Sequence, residues 1–162
     1  MHFERIADKL RLHFVVSEIG KSAAPGSLVL DVGCGNGIIA KGVAMAGYRV
    51  EAIDVSEKTI ETARALNAHD NILYKVVAAG TLQPYEKRYS AIICSEVLEH
   101  LHDPGQLLKI LHTSLTDAGV LIVTVPNGRG PRELFVTKPE QYLQQKNTPL
   151  AGGVLKQLQG GT

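Results

Sequence analysis

The chain has 162 residues, 44% of them hydrophobic, and a formal net charge of +1. That length fits one domain, and that hydrophobic share is ordinary for a globular core. The near-neutral balance, without a basic block, argues against a nucleic-acid surface, and no apolar run approaches the roughly 20 residues that span a bilayer.

The first stretch, MHFERIADKLRLHFVV, carries charges throughout and shows no signal-peptide core. Its apolar residues Ile6, Leu10 and Phe14 recur at i, i+4 and i+8, which predicts an amphipathic helix over 3–19. SAAPG (22–26) breaks it. LVLDV (28–32) is short and continuously apolar, as a strand buried on both faces should be. A helix is expected from Asn36, with Ile39, Val43 and Ala46 on one stripe and Gly47 as its stop.

A second strand covers 48–53. Ser56 is placed to cap a helix running to about Leu66, with Glu57 in its first turn. NILYKVV (71–77) and SAIIC (90–94) read as the third and fourth strands. The link between them, 78–89, contains Pro84 and is too short for a full helix. Asp103 caps a helix with Pro104 at its first position and Leu107, Leu108, Leu111 and Leu115 along its buried side. DAG (117–119) turns the chain into a fifth strand, VLIVTV (120–125). Beyond PNGRGP (126–131) the pattern weakens. Residues 151–162 are Gly-rich and are expected to form a flexible tail, leaving 1–150 as the domain.

Strands and helices in alternation predict an α/β fold with a doubly wound parallel sheet and helices on both faces. The two cysteines, Cys34 and Cys94, have no repeated spacing and suggest neither a disulfide framework nor a zinc site. The expected setting is a reducing cytoplasm.

The segment VLDVGCGNG joins the first strand to the next helix through Gly33, Gly35 and Gly37. In an open α/β sheet, ligands sit beyond the carboxyl ends of the strands, and glycines there let the backbone turn tightly beside a ligand. The spacing is G-x-G-x-G, not the G-x-G-x-x-G of a pyrophosphate site, because position 40 is Ala40. A nicotinamide dinucleotide is therefore not the obvious guest. The second strand ends in EAIDVS, and its Asp54 lies about 20 positions after Gly33, where an acid that grips ribose hydroxyls is expected.

LDVGCGNG followed by AIDVS resembles the S-adenosylmethionine site of class I methyltransferases. ICSEVLEHLHDP and GVLIVTVPN resemble the fourth and fifth strands of the same family. Within it, the chain is similar to the ubiquinone-biosynthesis O-methyltransferases and related small-molecule enzymes, whose segment before the first strand is echoed by Leu10-Arg11-Leu12.

The resemblance implies a Rossmann-like sheet of order 3-2-1-4-5. It implies an enzyme that transfers a methyl group from S-adenosylmethionine to a small-molecule acceptor at oxygen. Gly33 and Gly35 would pass under the methionine part of the cofactor, and Asp31 would orient its amino group. Asp54 would bind the ribose, with Val55 against the adenine. Arg11 would reach the carboxylate, and Ser95 would line the sulfonium end. Where the family commonly has an acid near the adenine, this chain has Ala78-Ala79-Gly80.

Glu96, Glu99 and His100 follow the fourth strand at i, i+3 and i+4, which on a helical turn puts them on one face. Such a trio suits a divalent metal such as magnesium, as some relatives with this pattern use. The other readings are His100 or His102 as general base, assisted by Glu99, and plain loop hydrogen bonding. Pro126-Asn127 stands where an acceptor site would form.

The family's usual last two strands would have to come from ELFVT and GGVL, so they are expected to be missing or atypical. That leaves the fifth strand's edge open to a homodimer contact or to a further C-terminal segment. The alternative function is a non-catalytic S-adenosylmethionine-binding domain or a fragment of a larger protein.

Overall fold

In the computed structural model, which describes residues 6–125 and 133–137, helices and strands alternate as the sequence pattern predicts. The order is α1 (Ile6–Gly20), β1 (Leu28–Val32), α2 (Ile38–Met45), β2 (Arg49–Asp54), α3 (Glu57–Leu66), β3 (Ile72–Val76), β4 (Tyr89–Ser95), α4 (Pro104–Ser114), β5 (Leu115–Val125) and β6 (Glu133–Thr137). The sheet runs β3-β2-β1-β4-β5-β6. The first five strands pair in parallel.

The expected order of the five parallel strands is thus present. The edge of β5 is not open, however. ELFVT pairs with it antiparallel, Val125 opposite Glu133 and Leu121 opposite Thr137. Short β-rich runs at a sheet margin carry little periodicity of their own, and the pairing partner decides their state. GGVL, Pro126-Asn127 and the expected tail at 151–162 lie outside the described residues.

Alternation along each strand divides the core into two layers. Val29, Val50, Ala52, Ala91, Ile93, Val120 and Ile122 face α1, α2 and α3. Leu30, Val32, Ile53, Ile92, Cys94, Leu121 and Val123 face the other way, toward α4. Leu107 and Leu111 anchor α4 there, each burial contributing about 1.5–3 kcal/mol.

Two caps are as expected. Ser56 Oγ accepts from the Thr59 N–H at 3.2 Å, and Asp103 Oδ1 accepts from the Gln106 N–H at 3.0 Å. Between β3 and β4 there is only a short 3₁₀ turn, Ala79–Thr81, in place of a crossover helix.

Two helix readings need correcting. On α1, Val15 and Ile19 are buried and Leu12, Phe14 and Val16 pack partly buried beside them, while Leu10 is 42% exposed. Leu12 packs directly on Gly42 of α2, where any larger residue would collide with it, and this contact sets the roll of α1. Leu115 is buried, but as the first residue of β5 opposite Tyr89 rather than on the side of α4. Among the described residues, no helix is long and apolar enough to cross a membrane.

Candidate functional site

Strand parity gathers the polar residues of interest on one side. Asp31 shares a face with Val29, Asp54 with Val50 and Ala52, Ser95 with Ala91 and Ile93, and Thr124 with Val120 and Ile122. All four point into the α1/α2 layer near the carboxyl ends of β1, β2, β4 and β5. Strand order reverses between β1 and β4, and ligands of doubly wound sheets bind at such a point.

The glycine turn is held by backbone bonds to β2. The Gly33 and Cys34 N–H groups donate to the Ile53 carbonyl at 2.8 and 2.9 Å, and Gly37 N–H donates to the Cys34 carbonyl at 2.9 Å. At Gly35 the backbone is left-handed (φ +53°), and a Cβ added there would meet nothing within 4 Å. The turn is therefore open above Gly35. Gly37 (φ +79°) is the opposite case, since a methyl there would run into the Tyr74 hydroxyl. That hydroxyl is fixed by donation to the Asn67 carbonyl at 2.9 Å. Asn67 in turn donates through Nδ2 to the Asn36 carbonyl at 2.9 Å. Gly37 serves packing, and Gly35 leaves room.

Asp54 braces this arrangement from the tip of β2. Its Oδ2 accepts the Gly35 N–H and its Oδ1 accepts the Ser56 N–H, both at 3.0 Å. Each oxygen keeps a further lone pair for a ligand hydroxyl. The neighbouring Val55 is 70% exposed, an apolar surface beside the same tip.

Asp31 is 2% exposed, and its Oδ2 has no hydrogen-bond partner among the described residues. Burial pushes its pKa up to about 7; the charge of Asp54 acts in the same direction, and that of Arg11 opposes it. A desolvated carboxyl oxygen without a donor is costly unless a ligand supplies one.

Arg11 reaches the site from α1, with Nη1 at 3.7 Å from Asp8 Oδ1 and Nη2 at 3.8 Å from Glu96 Oε1. Glu96 has φ +56°, rare for a residue with a side chain. Its N–H donates to the Thr124 carbonyl at 2.9 Å, and its Oε1 accepts from the Thr124 hydroxyl at 3.2 Å. Ser95 Oγ lies 2.6 Å from Thr124 Oγ1.

The expected grouping of Glu96, Glu99 and His100 on one helical face is not found. Glu96 breaks the backbone before a 3₁₀ turn that covers only Leu98–His100. Its carboxylate turns toward Arg11 and Thr124, while His100 Nε2 lies 4.0 Å from Glu99 Oε1, with the His100 side chain 76% exposed. Among the described residues no group of three or more His, Cys, Asp or Glu side chains is disposed to hold a metal ion. The donor set therefore does not fit the expected magnesium. His102 is exposed.

Sequence reasoning missed Thr124, which lies inside the apolar run VLIVTV and is 4% exposed. It also missed Asn67 and Tyr74. A lone polar residue in a buried strand, one position before its end, was the available signal for Thr124.

Residues 3–150 match a sequence family described as a methyltransferase domain. The chain is 32% identical over 139 residues to a ubiquinone biosynthesis O-methyltransferase of Alkalilimnicola ehrlichii, an alignment covering 84% of this chain and 56% of that protein. Against the protein of that name from Rickettsia typhi it is 32% identical over 145 residues, covering 88% and 56%. The chain thus spans about half the length of the curated relatives it matches. Its fold is similar to that of an S-adenosylmethionine-dependent methyltransferase from Mesorhizobium loti, with a TM-score of 0.61 and 22% identity, covering 70% of this chain and 55% of that one.

Proposed function

The chain belongs to the methyltransferase-domain family, and on that premise we propose that it binds S-adenosylmethionine at the tips of β1, β2 and β4 and methylates an oxygen of a small-molecule acceptor. The observation that carries this reading is the buried, unpartnered Oδ2 of Asp31. It calls for a hydrogen-bond donor, and a cationic one such as an α-ammonium group would also offset the carboxylate's desolvated charge. A pyrophosphate would meet two carboxyl groups there, Asp31 and Asp54; burial and then the charge of Asp54 already raise the cost of ionising Asp31. That favours S-adenosylmethionine over a nicotinamide dinucleotide.

In this reading Asp31 receives the ammonium and Arg11 the carboxylate of the methionine part. Gly35 lets the main chain lie close beneath it, while Gly33 (φ +73°) makes the turn against the Val97 side chain, and Asp54 accepts from the ribose hydroxyls through its spare lone pairs. Val55 gives the adenine an apolar wall. With Ala78-Ala79-Gly80 on the adenine side, only backbone groups can read its edge there. Ser95 turns an oxygen to the sulfonium end.

The bound cofactor supplies a methyl group already activated on a positive sulfur. What is left to the chain is alignment, exclusion of water and removal of the acceptor's proton. His100 is the residue assigned to that proton, with Glu99 beside it to hold the imidazole. Glu96 is committed to Thr124 and Arg11, so no step is routed through a metal. The buried free thiols Cys34 and Cys94 accord with a reducing compartment, and the cytoplasm is the proposed location.

A second reading is a module that binds S-adenosylmethionine without turnover. The exposed, ungathered state of His100 favours it.

The test is calorimetry with S-adenosylmethionine and with NAD, followed by transfer of a labelled methyl group to phenolic acceptors. One-to-one binding of S-adenosylmethionine alone is expected. Binding of NAD instead, or of neither, would overturn the proposal. Binding without transfer to any acceptor would select the second reading.

A further inference from the structure

Ser95, Thr124 and Glu96 form a hydrogen-bond chain whose direction is fixed by chemistry. Thr124 Oγ1 lies 2.6 Å from Ser95 Oγ and 3.2 Å from Glu96 Oε1. A carboxylate has no proton to give, so the Thr124 hydroxyl donates to Glu96. A hydroxyl has one proton, so at the other end Ser95 must donate to Thr124. The Ser95 proton is thereby spent inside the sheet, and only lone pairs remain for whatever lies against the end of β4.

Glu96 is shaped for this task. Its left-handed backbone (φ +56°) brings its N–H onto the Thr124 carbonyl at 2.9 Å while its side chain returns to the Thr124 hydroxyl. The residue thus grips Thr124 at two points. A non-glycine residue in this conformation is strained and persists where its surroundings over-determine it. The Arg11 guanidinium, 3.8 Å from the same Oε1, balances the charge at the inner end of the chain.

We propose that Glu96 is a positioning residue: by fixing the direction of the Ser95–Thr124 pair, it makes Ser95 an acceptor that selects a positively charged ligand group over a neutral one. The inference rests on the S-adenosylmethionine reading above. S-adenosylmethionine and its demethylated product, S-adenosylhomocysteine, share ammonium, carboxylate, ribose and adenine. They differ in one methyl and in the charge on sulfur, so the ratio of their affinities isolates the Ser95 contact.

The experiment is calorimetry with both compounds on wild type, Thr124→Val, Thr124→Ser and Glu96→Ala, with thermal unfolding to verify folding. In Thr124→Val the Ser95 proton is released to face the ligand. The ratio of the S-adenosylmethionine Kd to the S-adenosylhomocysteine Kd should then rise about three- to tenfold, the effect of roughly one net hydrogen bond. Glu96→Ala removes the acceptor that fixes the Thr124 hydroxyl and should move the ratio in the same direction, and Thr124→Ser should keep the wild-type value. If Thr124→Val does not fold, Glu96→Ala, at a partly exposed side chain, carries the test. Equal weakening of both compounds, with the ratio unchanged, is what a merely structural role predicts and overturns this inference alone. A wild-type protein that binds neither compound overturns the reading of the site and this inference with it.

Discussion

Asp54 accepts the main-chain N–H of Gly35 at 3.0 Å, so the tip of the second strand carries the crest of the turn that follows the first. The same carboxylate holds the Ser56 N–H at 3.0 Å. Asp54 therefore acts before any ligand arrives, and its substitution should show twice. Asp54→Ala should lower stability, because two donors lose a partner. It should also weaken S-adenosylmethionine by about ten- to hundredfold, the equivalent of roughly 1–3 kcal/mol for lost bonds to a charged acceptor. Asp54→Asn keeps an oxygen for Ser56 but sets an amide N–H₂ against the Gly35 N–H, so its binding loss should be intermediate. Calorimetry and urea unfolding of the three proteins check both effects.

Asp31 gives the site opposite pH dependences with and without ligand. Its carboxyl titrates near 3.8 when unperturbed, while in the fold burial first, then the charge of Asp54, push it up to about 7, with Arg11 opposing. Between those values the folded chain keeps a proton that the unfolded chain has lost, so stability falls as pH rises from about 4 to about 7 and levels off above. A ligand ammonium prefers the ionised form, so affinity for S-adenosylmethionine should rise over the upper part of the same range. Asp31→Asn should remove both slopes, stabilise the free protein at pH 8 and weaken binding there. Urea midpoints and calorimetry at pH 5, 6, 7 and 8 measure this. An affinity independent of pH in the wild type would remove Asp31 from the ammonium site.

The three glycines look alike in the sequence but differ in what surrounds them. At Gly35 a side chain would enter open space, whereas at Gly37 it would strike the Tyr74 hydroxyl, which Asn67 holds in place. Both positions have positive φ, so alanine at either carries a strain of about 1 kcal/mol. Gly35→Ala should stop near that value in stability and lose at least tenfold in S-adenosylmethionine affinity. Gly37→Ala should cost about 2–4 kcal/mol, strain and displaced packing together, with its binding loss following its unfolding. Thermal unfolding beside calorimetry separates the two. Equal stability losses would mean that the contrast between the two surroundings has no energetic weight.

This contrast marks the boundary of what the chain sequence discloses. The central strands were legible because a strand buried on both faces is mostly apolar, as LVLDV and VLIVTV are apart from Asp31 and Thr124. Ser56 and Asp103 were legible because a cap is local, acting three residues ahead of itself. Asp54 was legible by its distance from the turn. The left-handed backbone of Glu96 was not, because nothing within EVLEH requires it. Thr124, remote in sequence, supplies both of the bonds that hold it. Leu10 of α1 was misplaced for the same reason, since Leu12 packs on Gly42 of another helix and leaves Leu10 exposed. Glu99 and His100 fell out of the expected trio once that backbone turned.

Glu51 supplies a prediction on the other layer, where the connection from β3 to β4 provides no helix. Its side chain is 8% exposed, accepts from the Tyr89 hydroxyl at 2.9 Å and Lys75 Nζ at 3.2 Å, and pairs with Arg88. Burial alone would raise its pKa. The hydrogen bonds from Tyr89 and Lys75 and the charges of Lys75 and Arg88 outweigh burial and hold the carboxyl below its ordinary value. A carboxyl lowered in the fold contributes stability that is complete above its unfolded pKa and is lost as pH falls through the lowered one. The donors are not equivalent. Tyr89 is fully buried, so Tyr89→Phe leaves a desolvated carboxylate short of a partner and should cost about 1–3 kcal/mol at pH 7. The Arg88 side chain is 41% exposed, and Arg88→Met should cost no more than about 1 kcal/mol because water screens that pair. Tyr89→Phe should also flatten the fall in stability between pH 5 and the acid limit. Urea unfolding at pH 7 and across the acid range measures both effects. A larger loss from Arg88→Met than from Tyr89→Phe would show that the surface ion pair, rather than the buried hydroxyl, holds this layer where a crossover helix is absent.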